Sequence, residues 1–167
     1  MMPQTNNNLI PDRSSPGLTW TAPQGGPQSR RREVSNWERI NTRKNITCGT
    51  WNVRTLRVDG RLEELTHEME RYRWNILGLC EMRWKKSGEV TTHEGHKLYF
   101  SGRTDKHAEG VGFLIHKDNV KSVMGYQPIS SRLITIRLHA APFNITVAQV
   151  YAPTSDYDDE TVEEMYE

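Results

Sequence analysis

The chain has little cysteine and no long apolar run. Its two cysteines, Cys48 and Cys80, each lie inside an apolar stretch and at no metal-ligand spacing, so we expect reduced core residues and not a disulfide framework. Nowhere do about 18 apolar residues follow one another, as a membrane-spanning helix requires. The N-terminus also lacks the apolar core of a signal peptide. These absences predict a soluble intracellular protein without a membrane partner.

Apolar residues are scarce at the start of the chain. Hydrophobic residues make up 35% of the sequence, and the mean hydropathy is -0.77. Residues 1–45 are rich in Pro, Gln, Asn, Ser and Gly and have no apolar period of two or of 3.6, which predicts a disordered leader. Residues 46–167 are then the candidate domain. Residues 30–32 are three arginines that could direct the protein to the nucleus, although such clusters are more often solvated charge.

The net charge of +1 hides an uneven distribution. The leader contains seven Lys/Arg and three Asp/Glu, and residues 156–167 contain seven acidic residues and no basic one. Residues 46–155 hold 15 basic and 11 acidic side chains. A moderately positive surface suits a phosphate-bearing partner, but an ordinary solvated surface explains it equally well.

Strand and helix patterns alternate after residue 45. Residues 46–52 and 76–81 have the β-branched or continuous apolar character of strands. Between them, apolar residues recur at helical spacing on one face, namely Leu62, Leu65, Met69 and Tyr72. This order predicts a parallel strand-helix-strand unit and an α/β domain.

Further strands are predicted downstream, at 97–100, 111–116, 133–138 and 144–151. The third of these alternates apolar and polar residues and should be half exposed. Ser155 and Asp158 resemble a capping pair that begins a helix. Because the chain ends inside this amphipathic helix, we expect a domain that is cut and not finished.

Three polar residues are expected at the ends of strands, where ligands bind in open α/β sheets. They are Asn52, Glu81 and Tyr151. A carboxylate that ends an apolar strand must be paired, hydrogen-bonded or bound to a cation. Glu81 is therefore either a metal ligand or the partner of Arg83, with equal weight. Taken singly, Asn52 is more often a turn residue and Tyr151 more often a packing residue.

The order of these strand ends resembles the endonuclease/exonuclease/phosphatase family. The segments that carry the likeness are Trp-Asn-Val-Arg at 51–54, Cys-Glu-Met-Arg-Trp at 80–84, Gly-Val-Gly-Phe-Leu-Ile at 110–115, Ser-Arg-Leu-Ile at 131–134 and Val-Tyr-Ala-Pro-Thr at 150–154. Within the family, the likeness is closest to endonuclease domains of non-long-terminal-repeat retrotransposons and to craniofacial development protein 2-like host proteins. It implies the first half of a four-layer α/β sandwich.

The resemblance also implies roles for individual residues. Asn52 would orient the catalytic cluster, Glu81 would bind Mg²⁺ or Mn²⁺, and Tyr151 would contact the scissile phosphate of DNA. Arg83 would contact the metal ligand and not the metal itself. Thr154 would contact a phosphate, at a position where abasic-site endonucleases usually have asparagine.

The remaining motifs of the family, a Gly-Asp-Phe-Asn-like segment and a terminal Asp-His pair, do not occur in the chain. Five histidines lie outside the context needed to replace the missing one and are expected at the surface or at strand edges: His93, His96, His107, His116 and His139. Two alternatives to a DNA endonuclease therefore stay open. One is a non-catalytic remnant that binds nucleic acid or a protein, and the other is a phosphoinositide phosphatase or sphingomyelinase-like enzyme.

Overall fold

The computed structural model describes residues 38–41, 45–153 and 162–163. The leader predicted for residues 1–45 lies mostly outside this part, as do Thr154 and, apart from two helical residues at 162–163, the predicted C-terminal helix. The described end of the leader is structured, because strand β1 (Ile40–Asn41) lies ahead of the predicted boundary. The side chain of Ile40 is buried in the core, so order begins earlier than composition indicates.

The first sheet has five strands in the order β2-β3-β6-β5-β4. Their bounds are β2 Cys48–Asn52, β3 Ile76–Cys80, β4 Ser87–Thr91, β5 Lys97–Ser101 and β6 Val111–Ile115. Strands β2 and β3 pair in parallel through helix α1 (Arg61–Met69), which confirms the predicted strand-helix-strand unit. The other pairs are antiparallel. The sheet is therefore mixed.

Helix α1 covers one face of this sheet. Its apolar residues Leu62, Leu65 and Met69 are buried at the predicted spacing. Gly60 precedes the helix with φ of 85° and no side-chain cap, and Glu63 and Glu64 in the first turn complement the helix dipole. The prediction was wrong for Tyr72, which is 56% exposed. The helix ends at Met69, one turn too early to bring Tyr72 onto the buried face.

The second sheet has three antiparallel strands in the order β10-β8-β7. They are β7 Val123–Ser130, β8 Leu133–Leu138 and β10 Ile145–Val150, and a 3-10 helix at Lys117–Ser122 leads into β7. Burial alternates along β8 as predicted. A short strand β9 (Ala140–Ala141) pairs in parallel with β1.

Strands β4 and β7 were not predicted. Both are edge strands, and neither shows the alternating burial that marks a half-buried strand. Strand β7 also contains Pro128, next to a shift of register. Proline cannot donate to a sheet ladder and is tolerated at edges and bulges.

The two sheets pack face to face and enclose the main core. Strand β6 contributes Val111, Phe113 and Ile115 to this core, and β8 contributes Ile134 and Ile136. Burial of each such side chain typically contributes about 1.5 to 3 kcal/mol. Gly78 of β3 lets the sheets approach closely, because a Cβ there would overlap the side chain of Gln149.

A second core lies between the first sheet and α1, where Leu77 and Leu79 of β3 face the helix. Two sheets and one helical layer confirm the α/β class and account for three layers of a sandwich. In the part of the chain that the structure describes, no helix covers the outer face of the second sheet. No helix of that part has the length and apolar character to cross a bilayer.

The predictions for cysteine and histidine hold in part. Cys80 is buried as expected, but Cys48 is exposed, because β2 is an edge strand. His96 was expected at the surface, yet it is 4% exposed. Its ring lies 5.1 Å from the ring of Trp74 and 4.8 Å from that of His116, and its Nδ1 accepts a hydrogen bond from the Lys117 amide at 3.0 Å.

The burial of His96 predicts acid-sensitive stability. Burial lowers the pKa of His96, the nearby His116 and Lys117 lower it further, and Glu94 and Glu70 oppose the shift. The folded state therefore favours the neutral ring. The stabilisation that comes from the neutral His96 ring is complete above the unfolded pKa of about 6.5. As the pH falls from there towards the folded pKa, the free energy of unfolding declines by up to about 1.4 kcal/mol per pH unit.

Urea unfolding of the chain between pH 7.5 and 5 measures this effect. The control is His96→Asn, whose side-chain oxygen can still accept the Lys117 amide but does not titrate. We expect the free energy of unfolding to fall more steeply with acidification in the original chain than in the variant. Equal slopes would show that His96 does not carry the dependence.

Candidate functional site

The ends of three strands meet at one edge of the two sheets. Asn52 ends β2 and is paired in register with Cys80 of β3, so Asn52 and Glu81 are neighbours. Tyr151 follows β10 in the other sheet. The Asn52 Nδ2 donates to Glu81 Oε1 at 2.6 Å, and the Tyr151 hydroxyl donates to the same oxygen at 3.0 Å. The structure thus brings together the three residues that the sequence singled out.

The backbone holds Glu81 in an uncommon conformation. Its φ is 56°, in the left-handed region that non-glycine residues rarely adopt. The next residues are anchored to the segment before β6, since the Met82 amide donates to Gly110 O at 3.1 Å and the Arg83 amide to Glu109 O at 2.7 Å. Gly110 itself has φ of 93° and lies close to the Arg83 amide. Strain of this kind is often concentrated at functional sites.

Hydrogen bonds favour the ionised form of the Glu81 carboxyl group. The bond from Asn52 lowers the pKa of Glu81 most, and the bond from Tyr151 and the charge of Arg83 lower it further, whereas partial burial opposes them. Donors that bond to the charged form of a carboxyl group stabilise that form. The site therefore presents a negative charge at neutral pH.

Arg83 is the ion-pair partner expected if Glu81 has a structural role. Its Nη2 lies 3.4 Å from Glu81 Oε2, and its side chain is 47% exposed. An ion pair this exposed typically contributes no more than about 1 kcal/mol. The pair exists beside the Asn52 and Tyr151 bonds, so a structural role and a ligand role for Glu81 are compatible.

Arg132 contacts both the backbone and the ring of Tyr151. The Tyr151 amide donates to Arg132 O at 2.9 Å, and Arg132 Nη1 donates to Tyr151 O at 3.3 Å. The guanidinium also lies over the Tyr151 ring, 5.3 Å from its centroid. These contacts fix both the backbone and the ring of Tyr151.

A buried ion pair in turn holds Arg132. Arg132 Nη2 lies 3.2 Å from Glu109 Oε1, and both side chains are less than a tenth exposed. The Ser131 hydroxyl donates to Glu109 Oε2 at 2.9 Å, and Arg103 lies 3.8 Å from the same atom. Removing one member of such a pair typically costs about 3 to 5 kcal/mol, because the other charge stays buried.

Sequence reasoning did not find Glu109, Arg132 or His107 as parts of the site. Glu109 stands before a buried strand, and the argument applied to Glu81 would have marked it as a carboxylate that needs a partner. The partner lies 23 residues away in the chain, and no local pattern identifies it. His107 was expected at the surface, and it is exposed there with its Nδ1 2.8 Å from Arg83 O.

The cluster opens into a cleft of about 260 Å³, lined by Glu81, Arg83, His107, Ala108, Glu109 and Tyr151. Glu81 is the carboxylate of this cleft that could hold a hard cation, because Mg²⁺ keeps several waters and is commonly bound through only one or two carboxylates. Within the described residues no group of three or more His, Cys, Asp or Glu could surround a metal ion. The predicted phosphate contact, Thr154, lies outside the described residues.

Comparison with known proteins finds two curated relatives, both called craniofacial development protein 2. The protein from Bos taurus is 36% identical over 119 residues, and that from Tragulus javanicus is 34% identical over 119 residues. Each match covers 71% of this chain and 20% of the relative, so the chain spans about a fifth of the length of the curated relatives it matches. No family model matches the chain.

The two donors to Glu81 should differ in their effect on its titration. We expect Asn52→Ala and Tyr151→Phe both to raise the pKa of Glu81, and Asn52→Ala to raise it more, because the Asn52 bond is the shorter and makes the larger contribution. The measurement is a ¹³C NMR titration of glutamate carboxyl groups in metal-free protein.

The control for this titration is Tyr72→Phe, which changes an exposed tyrosine just beyond α1. It should leave the Glu81 signal unchanged. An unchanged Glu81 titration in both site variants would mean that the two hydrogen bonds do not form in solution.

Proposed function

We propose that the chain forms part of an endonuclease/exonuclease/phosphatase domain that hydrolyses phosphodiester bonds of DNA with Mg²⁺ or Mn²⁺. The observation that carries the proposal is the convergence of Asn52, Glu81 and Tyr151 on one carboxylate oxygen. Each of these residues ends a strand in the order that resembles this family. The similarity to craniofacial development protein 2 supports a relationship with host proteins of that group.

Glu81 is the residue that would hold the metal ion. The hydrogen bonds that its carboxylate accepts lower the pKa of Glu81, and oxygen donors suit hard cations. Mg²⁺ held there would supply positive charge to stabilise the phosphoryl oxygens. Asn52 keeps the carboxylate in one orientation, with its Oδ1 fixed in turn by the Arg54 amide at 3.0 Å.

The Tyr151 hydroxyl is the proposed hydrogen-bond donor to phosphate. Its hydroxyl bonds to Glu81 at 3.0 Å and lines the cleft, so the same donor can turn to a phosphoryl oxygen of a bound strand. Arg132 keeps the ring in position. Arg83, half exposed at the cleft, adds positive charge for the approach of a phosphate.

Among the described residues that line the cleft, Glu81 supplies a carboxylate and Tyr151 a hydroxyl donor. The carboxylate of Glu109 is engaged by Arg132 and Ser131, and His107 is hydrogen-bonded to Arg83 O, so we assign neither to the activation of water. General acid-base catalysis is typically worth about 10² to 10⁴ in rate. We infer that an active enzyme draws the groups that activate water from sequence outside the described part, such as the remainder of a longer protein like the curated relatives. The alternative of a non-catalytic binding protein is distinguished by the experiment below.

A plasmid-nicking assay tests the proposed chemistry. We expect the 167-residue chain alone not to nick supercoiled DNA in Mg²⁺. We expect nicking when the chain is extended by the sequence that follows the matched region in a craniofacial development protein 2 relative. In the extended protein, Glu81→Gln should lower the rate about 100-fold or more, as loss of a group that stabilises transition-state charge does.

The matched control is Glu89→Gln, which changes an exposed glutamate of β4 paired with Lys97. It should retain the rate of the extended protein. Metal-dependent nicking that persists in Glu81→Gln would overturn the assigned role of Glu81. No nicking by any extended protein that is shown to be folded would favour the non-catalytic alternative.

A further inference from the structure

A second groove adjoins the cleft at Glu81. It has a volume of about 350 Å³ and is lined by Arg57, Trp84, Lys85, Phe100 and His107. His107 lines both this groove and the cleft, so the two depressions lie next to each other. A volume of this size lies within the range of about 300 to 1,000 Å³ that is usual for small-molecule sites.

Two aromatic rings in this groove are fixed in place. Trp84 and Phe100 make an edge-to-face pair, with ring centroids 5.0 Å apart and an interplanar angle of 88°. The Trp84 indole N–H donates to Leu56 O at 2.7 Å. The one polar group of the indole is thus satisfied by the protein, and the ring is held as a rigid aromatic surface.

Two cations of this groove are without acidic partners. Arg57 and Lys85 are exposed, and neither makes an ion pair with any residue that the structure describes. The arginines of α1 and its C-terminal turn differ, because Arg61 and Arg71 each pair with a glutamate of that helix. Unpaired cations beside a fixed aromatic pair suit a ligand that is both anionic and aromatic.

We propose that this groove binds a nucleotide of single-stranded nucleic acid next to the phosphate held in the cleft. The unpaired base stacks on the Trp84 and Phe100 pair, and Arg57 and Lys85 contact the flanking phosphates. Aromatic side chains interleaved with cations are the usual platform for single strands, because every base has a ring face that can stack. A duplex hides those faces. The path of the strand from the groove into the cleft rests on the proposed function, because that function puts a phosphate in the cleft.

Binding without cleavage provides the test. Fluorescence anisotropy of a fluorescein-labelled 12-nucleotide strand, and of its duplex, is measured with the chain in EDTA over a range of salt concentrations. We expect the single strand to bind more tightly than the duplex. Arg57→Gln with Lys85→Gln should weaken binding and lower the salt dependence, log Kd against log salt, by about 1 to 2.

The aromatic contact is tested separately. Trp84→Leu keeps an apolar side chain but removes the stacking ring, and it should weaken single-strand binding about fivefold or more. Because this change also removes the bond to Leu56 O, Trp84→Phe is the second variant. It retains a ring and should recover part of the affinity, and circular dichroism of each variant checks that it is folded.

The matched charge control is Arg73→Gln with Lys117→Gln. Both residues are exposed, and they lie near the start of β3 and the end of β6, at the end of the sheet away from Glu81. Neither makes an ion pair among the described residues. The control should keep single-strand affinity and salt dependence. Equal weakening in the control, a preference for duplex, or unchanged binding in the groove variants would each overturn the proposal.

The same assay separates this proposal from the proposed chemistry. If extended protein never nicks DNA but the groove variants still lose single-strand binding, the proposed chemistry fails and the groove assignment stands. If Glu81-dependent nicking occurs and the groove variants bind normally, the groove assignment fails and the chemistry stands.

Discussion

Complete burial of strand β3 is the constraint on which the rest of the structure depends. All five residues of Ile76–Cys80 are buried, so both faces of the strand need a covering layer. Leu77 and Leu79 pack beneath α1, while Ile76 and Gly78 face the second sheet. The chain therefore places a helix on one side and a sheet on the other. An apolar strand that ends in Glu81 must also satisfy that carboxylate at its exit.

The hydrogen-bond donors that satisfy the Glu81 carboxylate come from both sheets. Asn52 donates from the first sheet and Tyr151 from the second, both to one oxygen atom. Behind them, Arg132 at the start of β8 and Glu109 before β6 form a second polar link between the sheets. A buried pair of this kind contributes little net stability when complete but fixes its neighbours in one arrangement. These polar contacts between the two sheets, which we call the seam, both hold the sheets together and form the candidate site.

The surface around this seam has a consistent chemical character. The cleft holds an ionised carboxylate and a phenolic donor, and His107 connects it to a groove with two cations and two fixed rings. A carboxylate suits a metal ion, and cations with aromatic rings suit the phosphates and bases of a strand. The two surfaces therefore suit different parts of a single ligand. This is the physical basis for proposing that both surfaces bind nucleic acid.

The sequence alone determined what depends on short-range patterns. The helical spacing of Leu62, Leu65 and Met69, the apolar run of β3 and the polar residues that end each strand follow from local periodicity and the cost of burial. The placement of Asn52, Glu81 and Tyr151 at one edge followed from the geometry of such strands. Only the tertiary structure decided the rest. Edge strands β4 and β7 bury too little to show a pattern, and Arg132 finds Glu109 across 23 residues, because the approach of distant segments depends on packing that no local pattern records.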